Sequence, residues 1–329
     1  MPPLVSPLLE VRDLHAHFFA KEGEVKALNG VNLTLHEGEV VGLLGESGAG
    51  KTVTALSIMG LLPYPGKVMS GAIFYRGRDL LTVGESVMRE IRGKEIAIAF
   101  QDPVTALNPR LTIGAQIQEM FRAHSGMSKK DARQAGIGLL RDVGLPDPER
   151  MMDSYVFQVS GGMAQRVMLA IATSLRPPVL LADELTSNLD VTLQADMLQR
   201  LRRLRDERGM AIVLITHDLG VLAQMADRIL VMYAGRIVEE ASARQFYRWP
   251  AHPYSYGMLK AIPRLDRDDR LLPIPGMPPD LRDLKDECPF LARCFKATVA
   301  CRTQPMPRFA PLEEGHYVAC YNPVETRAD

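Results

Sequence analysis

Long apolar runs are missing from this chain. No stretch approaches about 18 uninterrupted apolar residues, the least that reads as a bilayer-spanning helix. The segment Met1 to Leu9 is broken by prolines and lacks a basic leader, so it is not expected to act as a secretory signal. Together these absences predict a chain that stays in the cytosol and reaches a membrane only through partners. A surplus of either charge is absent too. Lys+Arg and Asp+Glu each number 39, which argues against binding nucleic acid by bulk electrostatics. Cysteine does not occur before Cys288; Cys294, Cys301 and Cys320 follow it. In a reducing compartment, thiols clustered in this way point to a metal rather than to disulfides.

What is present suits an α/β globular protein. The 329 residues are 47% hydrophobic and 24% charged, long enough for two domains of about 150 residues each. Residues 8 to 44 alternate apolar and polar positions as strands do, and Ala72–Tyr75 and Glu95–Phe100 are further strand candidates. The region from Ile113 to Val143 is expected to be mainly helical. Three compact apolar runs follow, Pro178–Ala182, Ala211–Ile215 and Ile229–Met232. Such continuous runs fit a parallel sheet buried on both faces, and their alternation with helical patterns gives a doubly wound core. Composition shifts near Pro263, where prolines and the run Asp266-Arg267-Asp268-Asp269-Arg270 read as a linker. The cysteine-bearing tail beyond it is expected to be a small separate unit that needs a metal staple.

The sharpest motif is Gly45-Glu46-Ser47-Gly48-Ala49-Gly50-Lys51-Thr52, a G-x-x-x-x-G-K-[ST] phosphate-binding loop. An apolar strand candidate (Val40–Leu44) precedes it, and a helical segment from Thr52 to Leu62 follows. The glycines let successive N–H groups turn inward on an anion, and the helix start adds partial positive charge. Lys51 would reach the outer phosphates, the Thr52 hydroxyl would hold Mg²⁺, and Val53 completes the helix start. Downstream, Val179-Leu180-Leu181-Ala182 ends in Asp183 and Glu184. Strand alternation predicts that Asp183 turns toward Mg²⁺ while Glu184 faces an attacking water.

Between these lies Val159-Ser160-Gly161-Gly162-Met163, followed by Gln165-Arg166. Here the chain resembles the ATP-binding-cassette family, whose signature loop reads LSGGQ, or LSGGM-x-QRV in its peptide-importer branch. Other motifs follow in the family's order: Phe100-Gln101-Asp102-Pro103 resembles its Q-loop, Asn188-Leu189-Asp190 its D-loop and Thr216-His217-Asp218 its switch histidine. Phe18, or alternatively Phe19, stands where the family stacks an aromatic on adenine. The resemblance implies an antiparallel β subdomain, a P-loop core and a helical subdomain at about 103–172 within an ATPase domain of residues 1–262. It further implies that two cassettes meet head to tail, with ATP between the Lys51 loop of one and Ser160, Gly161 and Gly162 of the other. Glu184 would activate water, His217 and Lys51 would stabilise developing charge, and Thr52, Asp183 and Gln101 would hold Mg²⁺. Val159, Ala164, Leu185 and Asn188 depart from the family pattern.

The carboxy-terminal third narrows the resemblance. His252-Pro253-Tyr254, Leu259-Lys260-Ala261-Ile262-Pro263, Ile274-Pro275-Gly276 and Cys288-Pro289-Phe290 resemble oligopeptide and dipeptide importer ATPases. The cysteine spacing C-x₅-C-x₆-C-x₁₈-C suits four thiolates on Zn²⁺ or an iron–sulfur cluster. The resemblance favours [4Fe–4S], carried by an extension at residues 263–329. It implies a peripheral subunit on the cytoplasmic face that powers import of di- or oligopeptides. Its implied partners are a second homologous ATPase, two permease subunits and an extracytoplasmic solute-binding protein, with no nucleic acid. Nickel, oligosaccharide or glutathione uptake by the same branch, and a cassette ATPase outside transport, are the alternative readings.

Overall fold

The computed structural model describes residues 6–187, 189–261 and 273–325. Asn188 of the expected D-loop and the junction 262–272, with its Ile262-Pro263 and its charge run, lie outside the described residues. The chain forms two compact units. Leu35–Glu39 and Thr82–Ile215 belong to one, and Leu8–Thr34, Val40–Leu81 and Thr216 onward belong to the other.

The second unit holds two sheets. In the first, the strands run in the order Gly23–Leu35, Leu9–Ala20, Gly66–Tyr75, Arg78–Asp79. Leu9 and Val11 are buried, and so are Leu14 and Ala16. The inward parity therefore changes from odd to even positions along one strand. The pairing with Gly66–Tyr75 shows why: its register shifts between Arg12 and His15 and again before Ala16. An irregularity of this kind reverses the face that following side chains occupy. The other sheet of this unit runs in the order Ala310–Glu313, His316–Val318, Arg236–Ser242, Arg228–Tyr233, Val40–Leu44. Val40–Leu44 is buried throughout and lies parallel to Arg228–Tyr233, with Leu44 opposite Val231. It leads through the phosphate loop into the helix Lys51–Ile58.

The tail does not stand apart in this structure. Its strand His316–Val318 pairs antiparallel with Arg236–Ser242, setting Val318 opposite Glu239. Phe290 is 1% exposed and packs at 5.3 Å from Tyr233 and 5.4 Å from Tyr254, ring centre to ring centre. Too poor in apolar residues for a core of its own, the tail completes that of its unit.

The first unit carries parallel strands Ile96–Ala99, Val179–Asp183 and Ala211–Thr216, with Ile98 opposite Leu181 and Leu181 opposite Val213. Their side chains are buried almost without exception, the pattern expected of strands covered on both faces. The region expected to be mainly helical comprises Ile113–Ser125 and Lys129–Asp142, separated at Gly126, whose φ of 64° ends the first helix in the left-handed region. Helix starts here are set by side-chain caps: Thr112 accepts from Ala115, Ser128 from Asp131 and Asp147 from Arg150. Ile113, Ile117, Leu140, Met152, Val156 and Val167 form a shared core. Ala164 lies within it at 1% exposure, so this departure from the family pattern falls at a core position that would not admit a long charged side chain.

Candidate functional site

The phosphate loop is shaped by positions where only glycine fits. A Cβ on Gly45 would lie 2.4 Å from the Met232 carbonyl oxygen, and Gly50 has a φ of 108°. The helix Lys51–Ile58 starts at Gly50 with no side-chain cap, so its first-turn N–H groups face outward from the helix end without a competing carboxylate or hydroxyl. Lys51 is 5% exposed. Its Nζ donates to the Gly45 carbonyl at 2.8 Å and to the Glu46 carbonyl at 3.1 Å, folding the ammonium into its own loop. Ser47, Gly48 and Thr52 are exposed and Val53 is half-buried.

The paired carboxylates divide differently from the strand-alternation reading. Asp183 is the last residue of its strand and is 2% exposed. Glu184 lies beyond the strand with a φ of 46°, in the left-handed region that costs a non-glycine residue about 1–3 kcal/mol. The cost is borne by local bonds: the Glu184 N–H donates to the Ile215 carbonyl at 2.9 Å, and the Ser187 hydroxyl and N–H donate to the Glu184 carbonyl at 3.0 and 3.1 Å. The aim of the Glu184 carboxylate thus comes from a strained turn rather than from strand pleating. Gln101, just beyond Ile96–Ala99, donates its side-chain amide to Glu184 Oε2 at 2.8 Å. Sequence placed these two 83 residues apart, and the parallel strands bring them together.

The signature and its neighbours are helix starts. Ser160 caps Gly161–Thr173 by accepting from the Met163 N–H, and Ser160 and Gly161 are exposed. Asp190 caps Val191–Arg208 by accepting from the Leu193 N–H at 2.9 Å. His217 is exposed at the end of Ala211–Thr216, in a turn where the Asp218 N–H donates to Thr216 Oγ1 at 3.0 Å and Asp218 caps the next helix. Phe18 is half-buried opposite Gly66, where an added Cβ would meet its ring at 2.7 Å; Phe19 is 42% exposed.

Cys288, Cys294, Cys301 and Cys320 line one cavity with His252, Phe290 and Lys296. All four are free thiols. Burial pushes Cys288 up to about 11 and Cys320 up to about 12, so both are neutral thiols near pH 7 while no cation offsets their charge. Among the described residues, no group of three or more His, Cys, Asp or Glu side chains is placed to hold a metal ion.

Sequence reading missed what touches the phosphate loop from the tail. Arg293 reaches Glu46, 247 positions away, and the Tyr254 hydroxyl accepts from the Glu46 N–H at 2.9 Å. Tyr254 was visible as part of His252-Pro253-Tyr254, but Arg293 had no signal beyond its place next to Cys294.

Comparison with known proteins bears on both parts of the chain. Residues 28–187 match the ABC transporter family, and residues 238–301 match the oligopeptide/dipeptide transporter C-terminal region. A probable peptide ABC transporter ATP-binding protein of Sinorhizobium fredii is 44% identical over 98% of this chain and 97% of its own length. The oligopeptide transport ATP-binding protein OppD of Salmonella typhimurium is 44% identical over 98% and 96%. The dipeptide transport ATP-binding protein DppD of Escherichia coli is 43% identical over 97% of each. Among solved structures, a dimeric ATP-binding cassette in a post-hydrolysis state, bound to ADP and phosphate, superposes with a TM-score of 0.65 at 28% identity, covering 72% of this chain and 99% of that one.

Proposed function

The chain belongs to the ABC transporter ATP-binding subunits that carry the oligopeptide/dipeptide C-terminal region, and from that premise we propose that it hydrolyses ATP to drive peptide import through membrane permease subunits. The observation that carries this reading is likeness along nearly the whole chain, tail included, to proteins named for oligopeptide and dipeptide transport. Among the described residues no helix is long and apolar enough to cross a membrane; by likeness to those transport proteins, the work would be done from the cytoplasmic face beside subunits that do cross it.

In this reading the amides of Gly45 to Thr52 take the phosphates, with Glu46, Ser47, Gly48, Ala49, Gly50 and Val53 forming the cradle. Lys51 exchanges its loop carbonyls for phosphate oxygens. Thr52, Asp183 and Gln101 hold Mg²⁺, which when bound neutralises charge on the outer phosphates. Glu184, steadied by Gln101, orients a water and takes its proton. His217 and Lys51 stabilise charge that builds up in the transition state. Phe18 stacks on the base. Ser160, Gly161, Gly162 and Asp190 act across to a second cassette, a homologous ATPase subunit, and a solute-binding protein delivers the peptide. The test is ATP-driven uptake of labelled di- and oligopeptides into proteoliposomes containing this chain with its permeases. Uptake without ATP, or ATP turnover unmoved by peptide and binding protein, would defeat the reading.

For the cysteine cavity we propose a [4Fe–4S] cluster, with Zn²⁺ as the alternative; the reading is supported by the resemblance of the tail and by four thiols lining one cavity. Either centre would take all four thiolates, one on each iron of a cluster or all on a single Zn²⁺. Anaerobic purification with a visible spectrum and iron and zinc content decides it; a chain with neither metal ends this part of the proposal.

A further inference from the structure

The tail is wired to the phosphate loop through one guanidinium. Arg293 Nη1 donates to Glu46 Oε2 at 2.9 Å and Nη2 to Glu46 Oε1 at 3.1 Å, a two-pronged ion pair. The same group donates from Nη1 to the Tyr233 hydroxyl at 3.1 Å and from Nε to the Pro275 carbonyl at 2.9 Å. Its side chain is 6% exposed, whereas that of Glu46 is 31% exposed. Below it, Phe290, Tyr233 and Tyr254 pack as an aromatic floor, and Tyr254 also receives the Glu46 N–H. Glu46 is thus gripped at its carboxylate and at its backbone, one residue after the glycine that opens the phosphate loop.

We propose that Arg293 is a positioning residue for ATP binding: the tail holds Glu46, and through it the amide cradle, in the conformation that receives the phosphates. The inference rests on the reading of residues 45–52 as the ATP site. A planar fork with fixed geometry suits the role, because two parallel hydrogen bonds fix the direction of the carboxylate as well as its distance. Anchoring of the tail does not require this pair. Strand pairing at Glu239–Val318 and the bond from Trp249 Nε1 to the Val324 carbonyl at 2.5 Å already bind the tail to its unit. The Arg293–Glu46 pair is the part of the attachment aimed at the loop.

The test uses the full-length chain. MgATP dissociation constants and melting temperatures are measured for wild type, Arg293→Met, Arg293→Lys, Glu46→Gln and the Arg293→Met/Glu46→Gln double variant. Both single neutralisations are expected to weaken ATP about tenfold or more, as loss of a charged hydrogen-bond pair would. The double variant should be no weaker than the worse single one, because both remove the same interaction. Lysine should restore affinity only in part. In the assembled transporter, the KM for ATP should rise more than kcat falls. Variants that melt lower but bind ATP as wild type does would reduce Arg293 to an anchor and overturn the inference, as would additive losses. If Arg293→Met does not fold, the half-exposed Glu46→Gln alone decides between these outcomes. A wild-type chain that binds no ATP would overturn the site reading itself, a result distinct from unchanged affinity in the variants.

Discussion

Glu184 occupies a backbone conformation that a glutamate adopts at a cost, and it holds a hydrogen bond from Gln101. A side chain placed this way is positioned before substrate arrives. Replacing it with glutamine keeps the shape and the hydrogen bond but removes the proposed base. Glu184→Gln should therefore lower ATP turnover about 10²–10⁴-fold while leaving MgATP affinity within a few-fold of wild type. Steady-state hydrolysis together with equilibrium binding checks both halves, and undiminished turnover would refute the assignment. His252 gives a second residue-scale expectation, in pH. It is 1% exposed, its Nδ1 accepts from the Tyr254 N–H at 3.1 Å, and its buried Nε2 has no hydrogen-bond partner among the described residues. Burial pulls it down from 6.5 to about 4, against the opposing pull of Glu239. Between those values the unfolded chain binds the extra proton and the folded one does not. The stabilisation is therefore complete above about pH 6.5 and is lost as pH falls toward 4, on the order of 3 kcal/mol in all. His252→Asn keeps a capping acceptor but does not titrate, so its stability should fall less steeply than that of wild type across this window in denaturant titrations. Equal slopes would show that His252 does not contribute.

At the scale of elements, the phosphate loop makes a graded prediction. Gly45→Ala places a methyl 2.4 Å from a backbone carbonyl that cannot rotate away, and should cost about 1–3 kcal/mol as an overpacked site does, together with loss of nucleotide binding. Gly48→Ala has nothing within 4 Å and only its φ of 80° to overcome, so it should cost about 1 kcal/mol. Chemical denaturation of both variants tests the order, and a reversed order would mean that the loop is not held as described. Much of this element scale was legible in sequence. Val40–Leu44, Val179–Asp183, Ala211–Thr216 and Arg228–Tyr233 were all announced by short apolar runs, because a doubly covered strand needs apolar residues at every position. The loop itself was legible because its glycines are demanded by local geometry. Glu184 was singled out by its motif, but its backbone conformation was not, since a left-handed turn at glutamate leaves no local mark in the sequence. The Gln101–Glu184 and Arg293–Glu46 contacts were invisible for a different reason: register between distant segments is set by packing, not by any pattern within either segment.

At the scale of the whole molecule, the tail determines whether its unit can close its core and its sheet. Glu239 lies on Arg236–Ser242, fully buried, and its carboxylate accepts from the Ala251 and His252 N–H groups, each at 2.7 Å, and meets His316 Nε2 of the tail at 2.8 Å. Removing residues 273–329 would take away His316, the strand paired with Arg236–Ser242 and the ring of Phe290 that packs against both Tyr233 and Tyr254. A buried carboxylate that loses a partner costs about 1–3 kcal/mol, and an unpaired strand edge invites association with other chains. Loss of a fully buried phenylalanine adds about 3–5 kcal/mol by itself. Against a total stability of about 5–15 kcal/mol, these terms predict that the truncated chain is unfolded or associated at 37 °C. His316→Ala, which deletes the Glu239 contact and the edge-on packing against Trp249 but spares the strand, should remain folded but be destabilised by about 1–3 kcal/mol. Thermal melting and sedimentation of both proteins distinguish a tail built into the core from an appended module: a truncated chain that melts with wild type and stays monomeric would place the tail outside the folding unit.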